Sequence, residues 1–224
     1  MGRVTVSRPV TRFTVGVGAT RRPDTLVAEE PLEIRLNGSP LAVTMRTPGD
    51  DVNLAHGFLL TEGVISGPGD VRAAMYCAGS VVDDDSGQPQ HTYNVLDVRL
   101  ADGVAPPAVD PTRNFYTTSS CGVCGKASID AIEQQTRWSV ADDPVVLDPE
   151  VMVRLPDLLR ERQRAFDRTG GLHAAGLFTA DGTPLRVAED VGRHNAVDKV
   201  IGWALLQGLL PARAGGARGL GTSR

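Results

Sequence analysis

The 224-residue chain is 41% apolar, 22% charged and 4% aromatic, with a formal net charge of −4 at pH 7. That is enough chain for one or two domains with their own cores, and it excludes collagen-like, coiled-coil and wholly disordered classes. No apolar run reaches the roughly 18 residues of a membrane span, and the acidic balance excludes a general nucleic-acid binder.

Met1 to Val10 lacks the apolar core of a secretion signal, and Val6 stands where N-myristoylation needs Ser or Thr. Three cysteines are an odd number for a secreted disulfide framework, so a cytoplasmic location is expected. Residues 1–22 carry five arginines and no acid. Residues 1–24 are therefore expected to be a mobile basic arm, with a first edge strand as the alternative. Thr25 to Arg46 reads as a β-hairpin: Leu32, Ile34 and Leu36 alternate with Glu33 and Arg35, Asn37-Gly38 is a type I′ turn pair, and Leu41, Val43 and Met45 return. Asp50 or Asp51 can N-cap a short helix through Asn53, Leu54, Phe58 and Leu59 that ends at Gly63. Asp83 to Gly87 is a turn, followed by a strand from Tyr93 to Leu100. Pro106, Pro107 and Pro111 give the stretch from Ala101 to Arg113 a linker composition, and the domain boundary is placed there.

In the second half a β-prone stretch, Phe115 to Ser120, runs into Cys121-Gly122-Val123-Cys124-Gly125, and Lys126 to Arg137 is helical by composition. A further helix fits Pro149 to Phe166, with a kink or late start at Pro156. Strands fit Leu172 to Ala180 and Leu185 to Ala188 on either side of an Asp181-Gly182 turn, and a helix from Gly192 to Gly208 carries Val197, Val200, Ile201, Ala204 and Leu205 as its stripe. This alternation argues an α/β fold. The expected organisation is an arm (1–24), an α+β N-terminal domain (25–110), an incomplete α/β domain bearing the CxxC (111–210) and a disordered tail (211–224). The tail holds only Pro, Ala, Arg, Gly, Leu, Thr and Ser.

The CxxC carries the strongest chemical signal. Two thiols three apart where a strand turns into a helix meet orphan amide groups and the positive end of the helix dipole, which favour a thiolate. Lys126 adds a nearby cation, Gly122 and Gly125 let backbone approach a ligand, and the second thiol is close enough to resolve a persulfide on the first. Redox or sulfur chemistry is favoured. Zinc is the alternative, but no second CxxC or HxxxH follows at finger spacing, and Cys77 is too remote in sequence to support a set. Zinc-dependent deamination needs His-x-Glu, whereas Phe58, Tyr93, Ala175 and Ala196 follow the four histidines at that spacing, which excludes it. The second constellation runs from Glu189 to Lys199, where Gly192 opens a helix with Arg193, His194 and Asn195 in its first turn. That arrangement suits an anion, although a charged helix start capped by Glu189 and Asp190 is the plainer reading. There is no Walker A motif and no dinucleotide fingerprint.

These segments resemble the FdhD family of formate dehydrogenase accessory sulfurtransferases. The matching stretches are Glu30 to Ile34, Met45 to Asp51 (MRTPGDD), Leu54 to Gly63 (LAHGFLLTEG), Ser119 to Gly125 (SSCGVCG) and Glu189 to Lys199 (EDVGRHNAVDK), in order along the chain. The resemblance implies a cytidine-deaminase-like C-terminal domain without zinc, preceded by a small α+β domain. It implies a sulfur carrier that takes a persulfide from a cysteine desulfurase and passes sulfur to the molybdenum cofactor, bis-molybdopterin guanine dinucleotide, for formate dehydrogenase. Cys121 is then the persulfide carrier, with Cys124 supporting it. Arg193, His194, Asn195 and Lys199, with Gly122 and Gly125, are the expected cofactor contacts, and no resident metal is implied. No nucleic-acid or membrane partner follows, and a homodimer is compatible with it. The family continues beyond Leu210 and ends in a short Gly/Arg-containing strand. Pro211 to Arg224 stands in place of that continuation, as a shifted frame or truncation would leave it, and would expose the apolar face of the helix from Gly192 to Gly208. A non-catalytic cofactor chaperone and an inactive remnant are the competing readings.

Overall fold

The structure is a computed structural model and describes residues 4–77, 79–82, 89–104, 138, 143–212 and 218–222. Cys121, Gly122, Cys124 and Gly125 lie outside the described residues, as do the Asp83 to Gly87 turn and the expected strand and helix from Phe115 to Arg137.

The chain opens with two ten-residue strands, β1 (Thr5–Thr14) and β2 (Gly18–Val27), paired antiparallel from Thr5 opposite Val27 to Thr14 opposite Gly18. Residues expected to be a basic arm therefore form a β-hairpin, and Thr25 to Val27 end it rather than begin the next one. The hairpin escapes the alternation rule because most of it is exposed on both faces. The strands β3 (Glu30–Leu36) and β4 (Ser39–Arg46) follow, joined at Asn37 and Gly38, whose φ values of 51° and 85° are those of the expected turn. Helix α1 (Asp51–Thr61) ends where Gly63 takes φ 72°. Asp50 stands at its N-cap without capping it; its carboxylate instead accepts from Asn53 and pairs with Arg186.

A 3-10 turn (Pro68–Asp70) leads to β5 (Val71–Tyr76), the small hairpin β6 (Gly79–Val82) and β7 (Pro89–Thr92), and β8 (Val95–Leu100). The main sheet has the order β4-β3-β8-β5, with β3 and β8 parallel and the other pairs antiparallel. Its inward rows, Leu32, Ile34 and Leu36 with Leu96, Val98 and Leu100, pack on Leu54, Ala55 and Leu59 of α1.

In the second half α2 (Pro149–Arg160) and α3 (Arg164–Thr169) replace the single helix expected over Pro149 to Phe166. The break falls after Pro156, not at it, because Glu189 reaches in from a neighbouring strand and accepts from the amides of Ala165 and Phe166, starting a new helix. The strands β9 (His173–Thr179) and β10 (Pro184–Asp190) match expectation, as does α4 (Arg193–Leu206) between Gly192 and Gly208. The tail corrects expectation: β11 (Arg218–Thr222) pairs antiparallel with the free side of β9, giving a sheet ordered β10-β9-β11. Ladder hydrogen bonds are made by backbone, so an Ala/Gly/Arg-rich stretch can complete a sheet that its composition does not announce.

Helix α4 is not left exposed. Ala196, Val200 and Ala204 pack on Ala175, Leu177 and Ala188 of the sheet, and Leu205 joins the core beneath α1. On that side α1 crosses it at backbone contact. A Cβ on Gly57 would lie 1.9 Å from the Asp198 carbonyl oxygen, and one on Gly202 would lie 1.9 Å from that of Asn53.

Candidate functional site

Site geometry centres on the join between the two halves, where β10 turns into α4. Asp190 is wholly buried, and four donors converge on its carboxylate. Oδ2 accepts from the Thr47 amide at 3.1 Å and from Lys199 Nζ at 2.7 Å. Oδ1 accepts from the Gly192 amide at 2.8 Å and from Asn195 Nδ2 at 3.0 Å. Lys199 is 2% exposed, and its ammonium also donates to the carbonyls of Thr47 (2.9 Å) and Glu189 (3.3 Å), so all three of its protons are placed. Asn195 donates to the Met45 carbonyl at 2.8 Å and accepts from Thr44 Oγ1 at 3.3 Å, while Thr47 Oγ1 accepts from the Val191 amide. A buried charge pair is tolerated in this way only when its remaining hydrogen-bonding positions are filled.

Two of the expected cofactor contacts have protein partners in this geometry. Lys199 and Asn195 hold the Thr44–Thr47 segment of the first half against α4. Arg193 and His194, one and two residues past the N-cap, are exposed. The structure thus separates the four residues into two clamps and two open side chains. Thr47, Glu189 and Asp190 share the work. Glu189 and Asp190 were legible only as caps of α4, and Glu189 in fact caps α3. Nothing in sequence spacing links residue 47 to residue 190.

One residue before Thr47, Arg46 builds a second buried cluster. Its guanidinium forks onto Asp51, with Nε to Oδ1 at 3.1 Å and Nη2 to Oδ2 at 3.0 Å, and Nη1 reaches the Glu30 carbonyl at 3.3 Å. Tyr76 donates to Asp51 Oδ2 at 3.0 Å; burial first, and the Asp51 charge second, push its phenol well above the usual tyrosine range. The Tyr93 ring meets Tyr76 edge to face, with centroids 5.3 Å apart. On the α1–α4 seam, burial pushes the Asp198 carboxyl up to about 7, against a hydrogen bond from Thr61 Oγ1 at 3.1 Å that favours its charged form. Among the described residues no three His, Cys, Asp or Glu side chains form a metal-ligand set. Among the same residues no helix is long and apolar enough to cross a membrane.

The charged residues of both clusters, Glu30, Arg46, Asp51, Asp190 and Lys199, fall in the segments whose sequence pointed to one family, and a family model described as FdhD/NarQ matches residues 27–216. The chain belongs to the FdhD/NarQ family. It is 59% identical over 212 residues to proteins named sulfur carrier protein FdhD from Streptomyces avermitilis and Streptomyces coelicolor, in each case over 94% of this chain and 73% of the relative. It is 54% identical to the protein of that name from Mycobacterium tuberculosis, over 96% of this chain and 76% of the relative. A crystal structure of a Desulfotalea psychrophila protein described as a formate dehydrogenase accessory protein superposes with a TM-score of 0.61 at 20% identity. That match covers 99% of this chain and 76% of the other, and it shows a shared mixed α/β fold. The FdhD/NarQ match begins three residues before β3 and includes α4, so it spans both clamps.

Proposed function

We propose that this FdhD/NarQ protein is a cytoplasmic sulfurtransferase acting as a sulfur carrier. Cys121 accepts sulfur as a persulfide from a cysteine desulfurase and delivers it to the molybdenum cofactor, bis-molybdopterin guanine dinucleotide, which formate dehydrogenase requires. The observation that carries the reading is the family match over most of the chain to relatives named as sulfur carriers, taken with the CGVCG segment in the sequence.

In the transfer, the Cys121 thiolate attacks the terminal sulfur of the donor's persulfide, a new S–S bond forms, and the donor cysteine leaves as thiolate, with no net oxidation. Cys124 is placed in sequence to resolve or shield that persulfide, and Gly122 and Gly125 admit the acceptor's approach. The cofactor is the substrate in this reading. Arg193 and His194, exposed at the start of α4, are the side chains available to its phosphate or guanine groups. Lys199 and Asn195 act on it only through the helix start they hold. The proposal takes the C-terminal half as a cytidine-deaminase-like layer working without zinc.

Intact-mass spectrometry tests the reading, after incubation with a cysteine desulfurase and cysteine, on wild type, Cys121→Ala and Cys124→Ala. The expected result is a species one sulfur heavier, lost in Cys121→Ala and present in Cys124→Ala. A folded wild type that gains no sulfur removes the relay and leaves cofactor binding without sulfur chemistry.

A further inference from the structure

The hairpin β1–β2 stands out from the body of the protein. Residues 11–23 are exposed without exception, and β2 meets the rest of the molecule at α3. Two strands of ten residues at about 3.3 Å per residue reach about 30 Å. Neither outer edge has a strand partner among the described residues. Pro9 and Pro23 stand opposite each other midway along the ladder, and proline on an edge strand blocks pairing with a further strand. The arm is thus built to engage through its side chains.

Those side chains fall into two zones. At the tip Phe13 is 78% exposed and Val17 is 81% exposed, with Val15 between them fully open. Behind the tip Arg12, Arg21 and Arg22 lie within three rungs of Phe13. Arg12 and Arg22 are on one face of the ladder and Arg21 is on the other, so positive charge surrounds the stalk. Arg8 follows further down. None of these four exposed arginines has an ion-pair partner among the described residues, and residues 1–23 contain no acid.

Apolar first and cationic behind is the order an anionic lipid surface asks for. The tip from Phe13 to Gly18 is six residues, against the twenty or more that each side of a stable protein contact uses. A bilayer interface needs no matching pocket, and segments lying in it bury their apolar side chains about 5–10 Å deep. Three residues separate Phe13 from the turn at Gly16, which is about 10 Å at the rise of a strand. With the tip at that depth the three arginines stand level with the headgroups, where long cationic side chains reach phosphate. The remainder of the chain is acidic: with the five arginines of the first 22 residues set aside, 18 basic residues face 27 acidic ones. An anionic surface repels such a body over about 8 Å at physiological ionic strength, and an arm of about 30 Å spans that distance.

We propose that the β1–β2 hairpin is a membrane-docking arm. Its Phe13–Val17 tip enters the interface of a bilayer that contains anionic phospholipid, and Arg12, Arg21 and Arg22 contact the headgroup phosphates. The arm holds the protein at that surface without a spanning helix and independently of its sulfur chemistry.

The test uses the whole chain and vesicles of phosphatidylcholine and phosphatidylglycerol in a three-to-one mixture. Co-sedimentation is expected to carry wild type down with these vesicles and at least about tenfold less of it with phosphatidylcholine alone, and the bound fraction is expected to fall as salt rises. Val15→Asp/Val17→Asp and Arg12→Glu/Arg21→Glu/Arg22→Glu are each expected to lower the partition coefficient at least about tenfold. Phe13→Trp reads depth. Its emission, beyond that of Trp138 and Trp203 in wild type, is expected to shift to the blue with vesicles and to be quenched by lipids brominated on their acyl chains. A wild type left in the supernatant, a tip variant that binds as wild type does, or an indole at position 13 that stays unquenched each overturns the proposal. The altered side chains are exposed, so an unchanged circular dichroism spectrum is the control for folding. The Phe13→Trp chain keeps every charge and decides insertion without the other variants.

Discussion

Two of the joins between the halves of the molecule are built by opposite means. Along the α1–α4 seam the join is one of shape: Gly57 and Gly202 let two helix backbones touch, and the half-buried Asp198 carboxyl there accepts from the Thr61 hydroxyl. At the β10–α4 turn the join is one of chemistry: Asp190, Lys199, Asn195 and Thr47 fill one another's hydrogen-bonding positions around a buried carboxylate and ammonium. The seam asks for an absence of side chain at two positions and tolerates no addition. The clamp asks for particular atoms and tolerates no subtraction. The first kind of join fails through overlap, the second through an orphaned charge, so the two are separable by mutation.

The largest effect is expected at the seam. Gly202→Ala or Gly57→Ala sets a methyl 1.9 Å from a backbone oxygen of the facing helix, and neither backbone can rotate away as a side chain could. Such overlap belongs to the destabilisations beyond about 4 kcal/mol, enough to leave most of the chain unfolded. Gly67→Ala, where an added Cβ meets no neighbour, is the control and is expected to leave the urea midpoint nearly unchanged. A soluble Gly202→Ala protein of wild-type midpoint would refute the backbone contact itself.

The clamp comes next. Lys199→Met removes the cation from a carboxylate with no exposure to water, and removing one partner of a buried pair costs about 3 to 5 kcal/mol. Asp190 keeps its three neutral donors, which holds the expected loss to the lower end of that range. Asn195→Ala is expected to cost less, because it leaves Lys199 in place. Equal losses from the two substitutions would mean that the charge pair contributes no more than the amide.

The same division explains what could be read in advance. Helix α4 between Gly192 and Gly208, the Asn37-Gly38 turn and the β9–β10 hairpin were legible, because capping glycines, left-handed turn residues and apolar periodicity act within a few residues of sequence. The β1–β2 hairpin reads from sequence as a mobile arm because strands exposed on both faces have no alternation to show, and β11 as a disordered tail because its pairing is carried by backbone. The roles of Lys199 and Asn195 could not be read, since their partners lie about 150 positions away at Thr47, Met45 and Thr44. From sequence, a lysine six residues after the arginine that opens a helix looks like part of one anion site; burial of Lys199 divides the group.

Asp198 sharpens the seam further through pH. Its folded carboxyl titrates near 7, well above the ordinary aspartate value of about 3.9, so between those values the folded protein holds a proton that the unfolded chain has released. Its contribution to stability is therefore greatest at the acid end and declines as pH rises from about 4 to about 7, where the charge must sit against the seam. Asp198→Asn can still accept from Thr61 and carries no charge. The variant is expected to match wild type near pH 4 and to be more stable by at least about 1 kcal/mol at pH 8, a fraction of the about 4 kcal/mol that the full shift would carry because water screens this half-buried group, read from urea midpoints at the two values. A difference independent of pH would show that the asparagine acts through packing alone.

The smallest change in stability is expected where the proposed chemistry is most exposed. Arg193 and His194 stand outside both joins, and exposed side chains of that kind alter stability by no more than about 0.5 kcal/mol. Arg193→Ala/His194→Ala is therefore expected to keep the wild-type urea midpoint while losing at least about tenfold in affinity for GDP, a soluble probe of the guanine nucleotide end of the proposed substrate. Lys199→Met gives the contrast: the clamp acts through the position of the helix start, so its loss of GDP affinity should shrink as added osmolyte restores the fold. An Arg193→Ala/His194→Ala protein with undiminished GDP affinity would move the substrate contacts away from the start of α4 and leave that turn as the hinge point of the clamp alone.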